Sequence, residues 1–504
     1  MTPEMVIKDS IIYRCLTALF HTVLRLASHS RTVRYFLNVP SYSTGRFIND
    51  SLAVRLASVP VRCLLRPVKA AGSLLRRSAP YSRALNLPLP AAVSHSRVLG
   101  AIGGIRVESA LWLLISYPVV DYLIRNIPSL SSFAGSWDEL LLLFIVLAWP
   151  VQMAVRGKIT FRHTGLDIPI LVYTGIAIFL FFMRSLDVSL ALEGIRVYLE
   201  YMLWFFVGSN LLLNRRQFDA LTRGAVAVGV LVSLVGIYQY VTGVQMPAEW
   251  VDQAEEGVTR VFSIVTSPNV LGSLLLFFIP LALARMLIAK NRQSRLAYLS
   301  ALGVLLACMV MTYSRGAWLA LAVSITVMGL LYSPRLIIAM GVGGLAGILF
   351  VPGISSRLSY MLSPAYMASS QRAGRIARWT LGLEKLTENP FLGTGFGNFG
   401  GAVAARRIPG SYYVDNFYLK TAVESGLIGL LALIWLLVGA LRCGYDAFKK
   451  ISDGSLKIMA AAILAGLTGV VTHNLVENIF EVPMMTTYFW LMAGILLSLP
   501  HIEE

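Results

Sequence analysis

Twelve apolar stretches constrain this chain more than anything else in it. They lie at approximately 107–125, 137–155, 166–183, 191–212, 219–242, 264–289, 296–312, 316–332, 336–352, 417–441, 457–480 and 484–500. Each is read as a helix crossing about 30 Å of hydrocarbon. A bilayer core satisfies no exposed backbone group, so helices are the structure such stretches must adopt there. With 56% hydrophobic and 14% charged residues, the composition excludes an ordinary soluble domain. The expected fold is an all-α polytopic membrane protein of about twelve transmembrane helices.

Basic residues orient the bundle. "RGKITFRH", "NRRQ", "KNRQSR", "SPR" and "RCGYDAFKKISDGSLK" fall on one face of the twelve-span count, which the positive-inside bias makes cytoplasmic, with both termini on it. The opposite connectors are nearly free of basic residues, which draws notice to Arg125, Arg184, Arg260 and Arg315 there. No cleavable signal peptide is expected, since no apolar run precedes the first span. Cys15, Cys63, Cys308 and Cys443 show no paired or metal-ligand spacing, so neither a disulfide framework nor a zinc site is expected.

Residues 1–104 read as a separate arm, ahead of a membrane domain at 105–504. The first hundred residues carry 14 Lys and Arg against three acids, most of the chain's net charge of +17. Ile12, Leu16, Leu19, Val23 and Leu26 recur at helical spacing with arginines between them. This pattern predicts amphipathic helices on an anionic inner leaflet, with a partner-docking arm as the alternative. No groove-reading motif accompanies the charge, so nucleic acid is not an expected partner.

The connector at 353–414 is the long one on the outer face, and its charge is unusual for that side. Seven basic residues (Arg357, Arg372, Arg375, Arg378, Lys385, Arg406, Arg407) face two acids, Glu384 and Glu388. A solvated basic loop is one reading, and a site for an anionic ligand is the other, because guanidinium forks match phosphate oxygens. Residues 373–389 have helical character ending before Pro390, suited to a lid on the membrane surface. "GTGFGNFGG" follows a helix instead of opening one after a strand, so it is read as a turn and not as a nucleotide fingerprint.

Four ordered stretches resemble one family. They are "RVFSIVTSPNVLGSLLLFFIPLAL" from Arg260, "TYSRGAWLAL" around Arg315, "GRIARWTLGLEKLTENPFLGTGFGNF" containing Arg375 and Arg378, and "DNFYLKTAVESGLIG" from Asp415. Together they are similar to the motifs of the O-antigen ligase and polymerase superfamily, over roughly residues 105–500. The resemblance implies a GT-C-like integral membrane glycosyltransferase of the bacterial plasma membrane. It implies a polyprenyl-diphosphate-linked glycan as donor and a glycan or glycolipid as acceptor. In the fourth motif, Asp415-Asn416, nine residues, Gly426, two residues and Gly429 keep the family's spacing, while aspartate stands where the ligases place histidine. That substitution leans toward polymerase-like or exopolysaccharide relatives.

The chemistry can be argued from the residues as well. A glycan on a lipid diphosphate already has a leaving group, so an enzyme needs cations for the developing negative charge and one base for the acceptor hydroxyl. Arg260, Arg315, Arg375 and Arg378, with Asn416, are the candidate diphosphate and substrate ligands. Asp415 is the candidate base, with Glu424 and His473 as further catalytic candidates. An N-cap role for Asp415, an interface anchor for Arg260 and a hairpin cap for Arg315 are the structural alternatives. Fixed arginines would make a metal unnecessary, and no cofactor is expected. Glu193, Arg196 and Glu200 read as a mutually paired network in the fourth span. His473, Asn474, Glu477 and Asn478 read as a polar stripe in the eleventh. A transporter or flippase of lipid-linked glycans is the competing class, although the two halves of the chain do not resemble each other as transporter repeats commonly do.

Overall fold

The computed structural model describes residues 107–155, 161–185, 187–245, 259–265, 267–350, 352–361, 363–372 and 374–503. The basic arm expected at 1–104 lies outside them. Among the described residues the chain has eighteen α-helices and no strand.

Helices α1 (Ala110–Ile115) and α2 (Tyr117–Asn126) form a pair bent by 81°. They are followed by α3 (Trp137–Val155) and α4 (Asp167–Arg184). Next come α5 (Val188–Leu199) and α6 (Leu203–Leu211), separated by a 3₁₀ turn at Glu200–Met202. The chain continues through α7 (Arg215–Thr242), α8 (Pro268–Ile288), α9 (Arg292–Met311), α10 (Arg315–Leu331) and α11 (Arg335–Phe350). The long connector holds α12 (Pro352–Met361), α13 (Pro364–Arg372), α14 (Arg375–Glu388) and α15 (Ala402–Arg407). Three helices close the fold: α16 (Phe417–Lys450), α17 (Gly454–His473) and α18 (Pro483–Glu503).

Each of the twelve expected segments contains helix, but they are not twelve equal spans. Among the described residues seven helices, α4, α7, α8, α9, α16, α17 and α18, are long and apolar enough to cross a membrane, and the bent α1–α2 pair makes up to eight. Helices α10 and α11 have 17 and 16 residues. At about 1.5 Å per residue they fall short of the full hydrocarbon thickness. The segment at 191–212 is divided at Glu200, where Arg196 pairs with Glu200 at 3.1 Å and with Glu139 of α3 at 2.8 Å. Glu193 does not join that network as expected. It pairs instead with Arg406 and Arg407 of α15, the latter at 3.1 Å.

The core follows from which helices are apolar all round, since such a helix must be enclosed by others. Every residue from Val270 to Arg285 in α8 is buried, as is every residue from Met484 to Leu499 in α18. With α17 they form the centre, and the remaining long helices surround them. Helix α6 crosses α18 at close range because glycines meet at the crossing. A Cβ on Gly208 would strike Leu491 O, and one on Gly494 would strike Phe205 O.

Of the polar stripe expected in the eleventh span, only His473 is in a helix. Helix α17 ends at His473, and residues 474–481 turn back toward α18. Asn474 makes this turn by using both ends of its amide: Nδ2 donates to Val470 O at 2.9 Å and Oδ1 accepts from Phe480 N at 3.1 Å. The turn's carbonyls, Asn474 O and Glu477 O, accept from Phe417 N. The turn therefore packs against the start of α16, and that contact builds the site.

Candidate functional site

The site gathers where α8, α10 and α16 begin and α17 ends. Asn416, not Asp415, caps α16, its Oδ1 accepting from Leu419 N at 3.0 Å. Capping is thus the observed job of Asn416, which was expected to bind substrate. Asp415 stands one residue ahead with φ +52°, in left-handed backbone that strains a residue with a Cβ and so needs surrounding support. Its Oδ2 lies 3.0 Å from Arg378 Nη1 and 3.7 Å from Arg375 Nε.

These pairs belong to a longer row. Arg375 also pairs with Glu477. Asn269 donates to Glu477 Oε1 at 2.7 Å, and Arg260 Nη2 donates to Asn269 Oδ1 at 3.1 Å. Arg260 Nε also donates to Thr312 O at 3.1 Å, which fixes it to the hairpin before α10. Charges so alternate from Arg260 to Glu477, Arg375, Asp415 and Arg378, with Asn269 as a neutral link. The side chains of Arg375 and Arg378 keep 29% and 37% of their surface, enough to receive a ligand.

Burial pushes the Asp415 carboxyl above the usual carboxylate range, with Arg375 and Arg378 opposing it. Burial likewise pushes Glu477 up to about 7 against the pull of Arg375. The two acids share Arg375, so they titrate as a set.

The other expected residues sort by access. Arg315 opens α10 with its guanidinium over the Tyr366 ring at 4.9 Å, so α13 covers it. His473 is wholly buried, its Nδ1 2.5 Å from Ser273 Oγ, and a Cβ on Gly316 would lie 2.9 Å from its Nε2. Glu424 is 1% exposed and pairs with Lys420 at 2.5 Å. Both were expected as catalytic candidates, and both are enclosed by protein, which leaves Asp415 as the expected acid with an open face.

The glycine-rich stretch after α14 explains the spacing of the Asp415 motif. Helix α16 breaks at Gly426, with φ +68° and ψ −177°, ten residues after its cap. Residues 390–395 fill the break: Thr394 N donates to Val423 O at 2.8 Å, Gly395 N to Glu424 O at 2.9 Å, and Leu427 N to Pro390 O at 2.8 Å. A Cβ on Gly426 would strike Phe391 O. Arg184 supports the insert by donating to Gly393 O at 2.9 Å. Helix α14 is therefore no free lid. Gly382, at its middle, rests on Leu419 and Phe399, and Trp379 and Leu386 pack on the small core of Phe399, Val414 and Val423.

Asn269 and Glu481 escaped the sequence reading as site residues, and Glu477 entered it only within the polar stripe. Glu477 and Glu481 sit in "HNLVENIFE", whose density of polar groups in an apolar stretch was the available signal. Among the described residues, no group of three or more His, Cys, Asp or Glu is placed to hold a metal ion.

Residues 300–434 match the family model described as O-Antigen ligase. The matched segment contains Arg315, Arg375, Arg378, Asp415 and Asn416, while Arg260 and Glu477 reach the same place from outside it. No curated protein matches the chain.

Proposed function

Taking residues 300–434 as an O-antigen ligase domain in a helical membrane protein, we propose that the chain transfers a glycan from a polyprenyl-diphosphate carrier to an acceptor hydroxyl at the outer face of the bacterial plasma membrane. The observation that carries this reading is the row Arg260, Glu477, Arg375, Asp415 and Arg378, which sets cations beside one accessible carboxylate at the mouth of the bundle.

The diphosphate binds to the arginines of the row and of α10. Its oxygens compete with Asp415 for Arg375 and Arg378, which releases the aspartate toward the acceptor. The acceptor oxygen attacks the anomeric carbon and its proton passes to Asp415. The bond from that carbon to the phosphate oxygen breaks, and its electron pair leaves with the lipid diphosphate. Fixed guanidinium groups stabilise this charge without reorganising at the moment of reaction. In this reading the protein needs no metal, and turnover persists in EDTA.

The deciding experiment is the structure of the glycan made in cells with and without the gene. Single repeats in place of long chains identify a polymerase, and long chains left on their lipid identify a ligase. Loss of the surface glycan with its lipid-linked units held on the inner leaflet would overturn the reading in favour of a flippase.

A further inference from the structure

A second polar cluster lies beneath the first and is sealed from solvent. Lys420, one turn into α16, is 2% exposed, and its Nζ touches Glu424 Oε2 at 2.5 Å, Tyr198 Oη at 3.1 Å and Glu481 Oε1 at 3.3 Å. The two carboxylates also hold the backbone of the glycine-rich loop. Phe399 N donates to Glu424 Oε1 at 3.3 Å, and Ala402 N donates to Glu481 Oε2 at 3.2 Å. One ammonium thus ties α5, α16, the loop and the turn before α18 together.

The cluster leads back to Asp415 through one side chain. Asn478 Nδ2 donates to Glu481 Oε2 at 3.2 Å and to Gly400 O at 2.7 Å, while its Oδ1 accepts from Asn416 N at 3.1 Å. Gly400 O in turn accepts from Val414 N at 2.9 Å. The residues on both sides of Asp415 are therefore held by a network whose only cation among the described residues is Lys420. A left-handed aspartate persists only where its surroundings over-determine it, and a buried charge holds its partners firmly because the alternative is an unpaired ion in an apolar interior.

We propose that Lys420 is a positioning residue for glycan transfer. Through Glu481 and Asn478 it holds the backbone at 414–416 so that the Asp415 carboxylate meets the acceptor hydroxyl. The inference rests on the proposed function above. It predicts that the cluster acts mainly on kcat, since Arg375 is also held by Glu477 and Arg260 by Thr312 and Asn269.

Lys420→Met would strand two carboxylates and risks misfolding. The variant to test is therefore Lys420→Met with Glu424→Gln and Glu481→Gln, which removes all three charges together. Asn478→Ala cuts the same connection at its other end and leaves the charges paired. Both are assayed as full-length protein in nanodiscs, on the polyprenyl-diphosphate glycan pool extracted from a strain lacking the gene, with thermal melting as the check on folding. The expected result for each is a fall in kcat of about tenfold or more with donor KM within about twofold of wild type. Combining them adds little, because both break one connection. Near-normal kcat in Asn478→Ala, or in a folded triple variant, overturns the proposal, as does a loss carried by KM. Asp415→Asn run alongside separates the two readings. If it keeps wild-type turnover, the base assignment has failed. If it alone loses turnover, only the role of Lys420 has failed.

Discussion

Each end of the bundle carries a network of arginines and carboxylates, and the two are built to different ends. Where α7 and α17 begin and α8 ends, Arg285 is buried and donates to Asp219 Oδ1 and Asp219 O, both at 2.9 Å. Arg215 there bridges Asp219 at 3.3 Å and Asp453 at 3.0 Å, and Asp453 also caps α17. The cations of this end tie helix termini together. At the other end the guanidinium groups of Arg375 and Arg378 stay partly open, and the carboxylate they share stands on left-handed backbone. Charge inside a membrane protein does not by itself mark a site. What separates these two ends is access, together with backbone strain beside the charge.

The largest test of that contrast is Asp415→Asn. Because Asn416 does the capping, this change should leave melting unaltered while turnover falls by about 10²–10⁴-fold, the range that a general base supplies. Normal turnover on the extracted donor pool would make the open end as structural as the closed one. Arg375→Gln comes next, with an expected loss of roughly tenfold to a hundredfold in kcat/KM, seen mainly as a raised donor KM. An unchanged KM for the lipid-linked donor would remove Arg375 from the diphosphate site.

Arg285→Met probes the opposite end. It should lower stability by about 1–3 kcal/mol through the unpaired groups it leaves. Turnover per folded molecule should stay within about twofold of wild type. A specific loss of turnover in well-folded protein would break the division between the two ends. The smallest effect expected is in the pH profile. A base must be deprotonated, and burial raises Asp415 and Glu477, so activity should decline as pH falls at values above the ordinary carboxyl range. Glu477→Gln removes a neighbouring negative charge and should move this acid limb to lower pH. A limb unmoved in that variant would show that the two acids are not coupled.

Much of the fold was legible because hydrocarbon leaves apolar sequence few options. Each of the twelve predicted segments contains helix, and Arg375–Glu388 lies within the helix expected at 373–389. The spans were harder to count. Length decides α10 and α11, the charged group around Glu200 divides α5 from α6, and α3 is not among the candidates either, so the seven to eight spans identified by length and apolarity among the described residues are fewer than the apolar stretches suggested. The site was legible in part. Arginines in outer connectors and an aspartate at a helix mouth stand out against an apolar background, and Arg375, Arg378 and Asp415 do meet.

The sequence by itself determined that the chain must be a helical membrane protein, and its ordered motifs carried the likeness to O-antigen ligases. Only the tertiary structure decided which catalytic candidate has an open face. Asp415, Glu424 and His473 are all polar residues near span ends, and nothing local distinguishes them. Glu424 is closed off by Lys420 and the loop from 393 to 401, and His473 by Ser273 and Gly316, partners that come largely from distant segments. The break at Gly426 has the same origin. A glycine in an apolar helix is a common sight, and it becomes a hinge because residues 390–395 supply the hydrogen bonds that the interrupted helix lacks.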